Sequence, residues 1–270
     1  MISSLRLSYE LVFQQTFKVR SSSILGIGMG VKIPRLLMGT SPFIGAGQFG
    51  VKAFKYYMTF YMVPENMVKL FIKSLELGVK AVQLLADKPI KALIEASKRT
   101  NVKPFVVYST DLTDDRLIAR IKTLEPLEPE VIAIHAEIAD RRKLNIINRN
   151  VKILEDHGIV AGLATHQPGV TLKWVEKENV PVEVVLAPLN KIGYAMDPDF
   201  NESLEAIKSC SRTVIAIKPL AAGKIKPLEA FEFVYKYVDS AAVGVASEEE
   251  MRETYEAAFK AYEKIKGSPP

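Results

Sequence analysis

The sequence predicts a (β/α)8 barrel, a TIM barrel, with an N-terminal β-hairpin; an open doubly wound sheet is the alternative, but eight units fill the chain with nothing left over. Three observations carry that reading. Eight short apolar runs alternate with eight helical stretches and fill the chain from residue 35 onward. The runs are apolar at consecutive positions, as strands of a parallel sheet covered on both faces are. Most of them end in a polar or ionisable side chain followed by a loop, and the C-terminal rim of such a barrel is where ligand-binding residues collect.

Residues 1–18 show no hydrophobic period and are read as an N-terminal extension, leaving 19–270 as one barrel domain. Residues 19–30 alternate loosely up to a Gly28-Met29-Gly30 turn, and VKIPRLLMGT follows, the pattern of a hairpin feeding a first strand at 35–38. A helix over 64–77 opens on Pro64, whose fixed φ suits a first turn, and leads to a strand at 79–85. Helix 89–99 also opens on a proline and precedes strand 104–108. The helical stretch 114–124 leads to strand 131–135. Helix 141–156 ends at His157-Gly158, a glycine stop beside a histidine suited to the helix dipole, and strand 159–164 follows. Helix 170–178, strand 182–187 and helix 201–209 continue the alternation. The β-branched run 213–217 then breaks off at Lys218 and a Pro-Leu-Ala-Ala-Gly turn. Helix 228–238, strand 241–246 and helix 248–265 complete the count, with Ser247 and Glu250 forming a capping box for the last helix.

Composition narrows the function classes. The formal net charge is +5, but 36 basic residues are interspersed with 31 acidic ones rather than gathered in a stripe, so no nucleic-acid partner is expected. Cys210 is the single cysteine, which excludes an intramolecular disulfide and suits a reducing compartment. No apolar run approaches the roughly 18 residues of a membrane span, and the N-terminus lacks the long apolar core of a signal peptide. A cytoplasmic protein with a small-molecule substrate and no membrane partner is expected.

The strand ends supply the candidate site residues. They are Gly39 to Ser41, Gln83, Tyr108 with Ser109, His135 with Glu137, Thr165 with His166, Asn190, Lys218, and Gly244 to Ser247. Lys218 is the sharpest, because a lysine flush against a buried apolar run needs a reason. It would form a Schiff base with a carbonyl substrate, hold an anionic group, or pair with a carboxylate on a neighbouring loop. His135, Glu137 and His166 have the composition of a two-histidine, one-carboxylate site for a divalent metal; hydrogen bonding at the rim is the plainer alternative. Gly223 and Gly244 lie where many barrels hold a phosphate. Tyr56, Tyr57, Phe60 and Tyr61 would line a pocket, close it as a lid, or simply pack.

GVKIPRLLMGT resembles the opening hairpin and first strand of the aldo-keto reductases. LELGVKAV at 75–82, VIAIKPLAAG and VGVASEEEMRETYEA are similar to the segments around their second, seventh and eighth strands. The similarity runs from about Val19 to the C-terminus. It implies a barrel with a hairpin at its base, NADPH as cofactor, and an Asp-Tyr-Lys-His proton-donating set. Of that set only the histidine is matched, by His135. Gln83 falls at the Asp position, Lys88 at or near the Tyr position, and Tyr108 or Ser109 at the Lys position, with Tyr108 a substitute donor. Thr165, Leu186 and Ile217 stand at positions that hold the nicotinamide. The nucleotide end, Pro219, Leu220, Gly223, Ser247, Arg252 and Glu253, stays nearest to the family pattern.

Three functions are therefore open. One is a barrel enzyme of non-redox chemistry that uses His135, His166, Lys218 and Glu137 on a small carbonyl or anionic substrate, with or without a divalent metal. Another is a divergent NADPH-dependent oxidoreductase. The third is a non-catalytic barrel that binds a ligand or a partner protein.

Overall fold

The computed structural model describes residues 31–267. The predicted extension at 1–18 and the hairpin up to Gly30 lie outside the described residues.

Eight parallel strands close on themselves in sequence order. They are β1 (Leu36–Gly39), β2 (Ala81–Leu84), β3 (Phe105–Thr110), β4 (Val131–Ile134), β5 (Val160–Ala164), β6 (Val184–Pro188), β7 (Thr213–Ile217) and β8 (Ser240–Gly244). Closure is made by β1 against β8, with Leu36 opposite Ala241 and Gly39 opposite Gly244. Eight helices cover the outside: α1 (Pro64–Glu76), α2 (Asp87–Thr100), α3 (Asp114–Leu124), α4 (Leu144–Asp156), α5 (Pro168–Lys177), α6 (Phe200–Ser209), α7 (Pro227–Val234) and α8 (Glu248–Lys266).

Each strand is apolar on both faces, and successive residues divide between two cores. Leu37, Ala81, Val107, Val131, Ala133, Ala164, Val184, Leu186, Ile215 and Ala242 fill the barrel interior, with Val31 and Ile33 packed against them. Their outward-facing neighbours, such as Met38, Val82, Tyr108, Ile132, Leu163 and Val243, meet the helices in the larger cluster. Toward the C-terminal ends the inward positions become small: Gly39, Ser109, Ala164, Ala242 and Gly244 line a cavity. The barrel is therefore packed below and hollow at its mouth.

Local chemistry accounts for two of the helix starts. The Ser247 hydroxyl accepts from the Glu250 amide at 3.1 Å while the Glu250 carboxylate accepts from the Ala246 amide at 2.8 Å, the reciprocal capping expected of this sequence. Asp199 caps α6 by accepting from the Glu202 amide at 2.9 Å. The helix predicted at 141–156 begins only at Leu144, because a separate short helix, Ala136–Ala139, forms directly after β4. The predicted strand at 104–108 runs on to Thr110, and this changes which side chain points inward at its end.

The connection after β1 is long and structured. Two 3-10 turns, Ser41–Ile44 and Gly47–Phe49, lead into a helix, Lys52–Tyr56, that continues as a π-helical turn, Tyr57–Tyr61. Phe43 anchors it: fully buried, its ring lies 4.9 Å from Phe60 and edge-on to Phe71 at 5.2 Å.

Candidate active site at the barrel mouth

The cavity opens at the C-terminal end of the barrel and has a volume of about 140 Å³. Gln83, Ser109, His135, His166 and Lys218 reach it from five different strand ends, and Leu186, Ile217 and Ala242 form its apolar floor. Gln48, Phe49, Lys52 and Tyr56 wall it from the β1 loop, and Leu220, Ala222 and Gly223 from the β7 loop.

Lys218 is the first residue beyond β7. Its backbone is left-handed, with φ of 56°, so the chain turns sharply there and the side chain is directed differently from the strand's own alternation. Burial pulls its pKa below the ordinary lysine value, opposed by the charges of Asp197 and Asp140. Neither carboxylate approaches within ion-pair distance, and among the described residues the ammonium has no hydrogen-bond partner.

The two histidines are held by their loops. His135 caps the short helix after β4, its Nδ1 accepting from the Glu137 amide at 3.4 Å, which leaves the neutral ring's proton on Nε2. His166 meets it edge-on, with ring centroids 5.6 Å apart. Burial lowers the pKa of His135. That of His166 is pushed down to about 4, first by burial of the ring and then by the positive charges of Lys218 and His135. Both imidazoles are therefore neutral at pH 7 and able to accept a proton.

Asp140 organises this side of the mouth, and nothing in the local sequence singles it out. Its carboxylate accepts from the Thr171 hydroxyl at 2.8 Å, the His166 amide at 2.9 Å and the Thr165 hydroxyl at 2.5 Å. It thereby ties the loop after β4 to the loop after β5. Its partners are 25 to 31 residues distant in sequence, a pairing no motif spacing announces.

Gln83 is buried and donates to the Ser109 hydroxyl at 3.3 Å, so the amide and hydroxyl form one polar patch on the cavity floor. Several expectations need correction. Tyr108 points out of the barrel and packs among the helices, its hydroxyl accepting from Arg120 at 2.7 Å. Arg120 is further paired with Asp87. Register decides this: β3 turns Val107 and Ser109 inward and Tyr108 outward. Glu137 turns away to an exposed ion pair with Arg141 at 3.3 Å, so it does not join the histidines. Among the described residues no three His, Cys, Asp or Glu side chains converge as a metal-holding group. Leu220 and Gly223 do line the cavity, whereas Ser247 is committed to its cap and Arg252 is exposed on α8. In the first loop Tyr56 lines the cavity and Phe60 is core.

No family model and no curated protein matches the chain. Solved structures do. A protein from Pseudomonas aeruginosa described as a provisional aldo-keto reductase superposes with a TM-score of 0.62 at 16% identity, covering 88% of this chain and 95% of that one. The barrel is aldo-keto reductase-like. A thermostable aldo-keto reductase crystallised with the inhibitor epalrestat gives a TM-score of 0.58 at 19% identity over 88% of this chain and 96% of its own. A more distant barrel, thiamine phosphate pyrophosphorylase from Pyrococcus furiosus, gives 0.50 at 17% identity over 74% of this chain and 91% of that one. Identities this low establish the shared fold and leave chemistry to the site.

Proposed function

We propose that the chain is a non-redox enzyme acting on a small carbonyl compound, with Lys218 as its nucleophile. The observation that carries this reading is the lysine itself: a partly buried amine at a cavity, without an ion-pair partner among the described residues and with its pKa lowered by desolvation. An ion-paired structural lysine would have its pKa raised and its ammonium occupied. A lysine prepared for Schiff-base formation needs the opposite.

The residues around it supply the remaining steps. The Lys218 amine adds to the carbonyl carbon, forming a C–N bond. A neutral imidazole, His166 or His135, takes a proton from the nitrogen and passes it to the former carbonyl oxygen, which gains a second proton from solvent and leaves as water to give an iminium. Gln83 and Ser109 offer an amide and a hydroxyl to hydrogen-bond that oxygen before it departs. The iminium then draws electrons from the adjacent carbon, where a proton or carbon fragment is released, and hydrolysis restores the lysine. No electron donor is consumed.

The resemblance to aldo-keto reductases calls for NADPH, and the residues argue against it. Ile217 offers no aromatic face at the position expected to stack on nicotinamide. The Ser247 hydroxyl is spent on the Glu250 amide, and Glu248, Glu249 and Glu250 place three carboxylates in the first turn of α8, where the cofactor's phosphates would have to sit. The donor set does not suit a divalent metal either, since two imidazoles without Glu137 fall short of the three protein ligands a catalytic site ordinarily uses.

Reductive trapping tests the proposal. Small aldehydes, ketones and 2-oxo acids are incubated with the protein and borohydride, and adducts are located by peptide mass spectrometry. A stable adduct on Lys218 that disappears in Lys218→Met is the expected result. Labelling spread over surface lysines and unchanged in that variant would reject it. A dinucleotide retained in native mass spectrometry would restore the oxidoreductase reading.

A further inference from the structure

Apart from Ile192, every large apolar side chain that the described residues leave exposed lies between residues 51 and 63, in the loop after β1: Val51, Phe54, Tyr57, Met58, Met62 and Val63. Ile192 belongs to the loop after β6, which is tied to the same place because the Tyr194 hydroxyl donates to the Gln48 carbonyl at 3.0 Å. The exposed apolar surface is thus gathered at one side of the barrel mouth.

The helix Lys52–Tyr56 and the π-helical turn after it bury Phe60 and half-bury Ala53 and Tyr56. Their outer face carries Phe54, 74% exposed, with Met58 and Met62, while Val51 just before the helix is 98% exposed. A helix on a soluble barrel ordinarily gives water its polar face. Here both faces are apolar, and the charges that remain have one sign. Lys52 and Lys55 are the only ionisable acidic or basic side chains between Arg35 and Glu65, tyrosines aside. At the far end of the segment the half-buried Lys88 is engaged within the protein, its ammonium 4.2 Å from the Tyr61 ring and donating to the Tyr61 carbonyl at 2.8 Å.

We infer that this face docks on an anionic phospholipid bilayer. Phenylalanine and methionine side chains would enter the boundary between headgroups and acyl chains while the exposed Lys52 and Lys55 meet the lipid phosphates, the arrangement of an interfacial amphipathic segment. A second copy of the chain fits less well. A two-fold contact through this helix would set Lys52 and Lys55 against their own counterparts with no carboxylate in the segment to offset them. The contact is peripheral, so the hydropathy of a spanning helix does not bear on it. The inference does not rest on the chemistry assigned to Lys218, although Lys52 and Tyr56 of the same segment also wall its cavity.

The test is co-sedimentation of the full chain with phosphatidylcholine vesicles, with and without phosphatidylglycerol, at low salt. Binding to the anionic vesicles alone is expected. It should weaken about 25-fold in Lys52→Gln/Lys55→Gln, since each lysine near such a surface contributes roughly a fivefold factor. A loss of about tenfold is expected in Phe54→Ser/Met58→Ser. Circular dichroism and thermal melting of each variant check that it remains folded before its sedimentation is compared. Failure of the wild type to sediment, or equal sedimentation of all variants, overturns the inference. So does a dimer in light scattering that Phe54→Ser/Met58→Ser makes monomeric, which assigns the face to a second copy. Lipid-free protection of amides 51–63 from hydrogen exchange in a monomer would assign it instead to residues 1–30.

Discussion

The ring of His166 stands at 88° to that of His135, edge against face, with 5.6 Å between centroids. Two imidazoles this close cannot both be charged without repulsion, and Lys218 adds its own field to His166. Since the folded-state pKa of His166 is near 4 and an unfolded histidine titrates near 6.5, the unfolded chain takes up the proton first as pH falls. The stability tied to neutral His166 is whole above about pH 6.5 and is withdrawn as pH falls from there toward 4. Denaturant unfolding between pH 7 and 4 should show the wild type losing more stability than His166→Gln. Parallel curves would refute the shift.

Lys218 has the opposite pH signature. Its lowered pKa means that the folded state resists the ammonium form, so at neutral pH the residue costs stability, and the cost is lifted as pH rises through the folded pKa toward the unfolded value near 10.4. Lys218→Met should unfold at a higher denaturant concentration than the wild type at pH 7, with the gap closing by about pH 10. The same variant should form no borohydride adduct at this position.

Asp140→Ala would strip three donors of their acceptor at once, two of them from the buried residues Thr165 and Thr171. A loss of about 3 kcal/mol in urea unfolding is expected, within the range for orphaned buried hydrogen-bonding groups. Asp140→Asn, which keeps an oxygen acceptor, should lose less. Because the carboxylate fixes the His166 backbone, trapping at Lys218 should slow in both.

Tyr108→Phe separates the outside of the barrel from its mouth. The change removes a hydrogen bond to Arg120 and should cost about 1 kcal/mol. Trapping at Lys218 should proceed at the wild-type rate, and a large drop would contradict the outward placement of Tyr108.

Gly244→Ala probes how tightly the β1 loop is seated. A Cβ there would lie 2.6 Å from Cδ and 2.8 Å from Cγ of Pro42, a rigid ring in the first 3-10 turn. A destabilisation of about 1–3 kcal/mol is expected from such overpacking, read by thermal melting. An unchanged melting temperature would mean that the loop yields freely.

Much of this architecture can be read in the sequence. A parallel strand covered on both faces must be apolar throughout, and a helix on the barrel surface must be amphipathic, so the alternation of the two patterns is visible without any partner residue. The capping box at Ser247 is equally local, because its donors and acceptors lie within four residues. Element ends are less legible, as β3 shows by continuing two residues past Tyr108.

The sequence by itself therefore indicates eight alternating strand–helix units that suit a barrel, and the positions of Gln83, His135, His166 and Lys218 at strand ends. Only the tertiary structure decides that Ser109 rather than Tyr108 faces the cavity, that Glu137 leaves the histidines, and that Asp140 binds the loops after β4 and β5 together. The physical reason is the same in each case. When both faces of a strand are apolar, its two-residue period carries no phase, and inward and outward are assigned only by register and barrel closure. Loop contacts between residues far apart in sequence follow from that assignment and have no local signature.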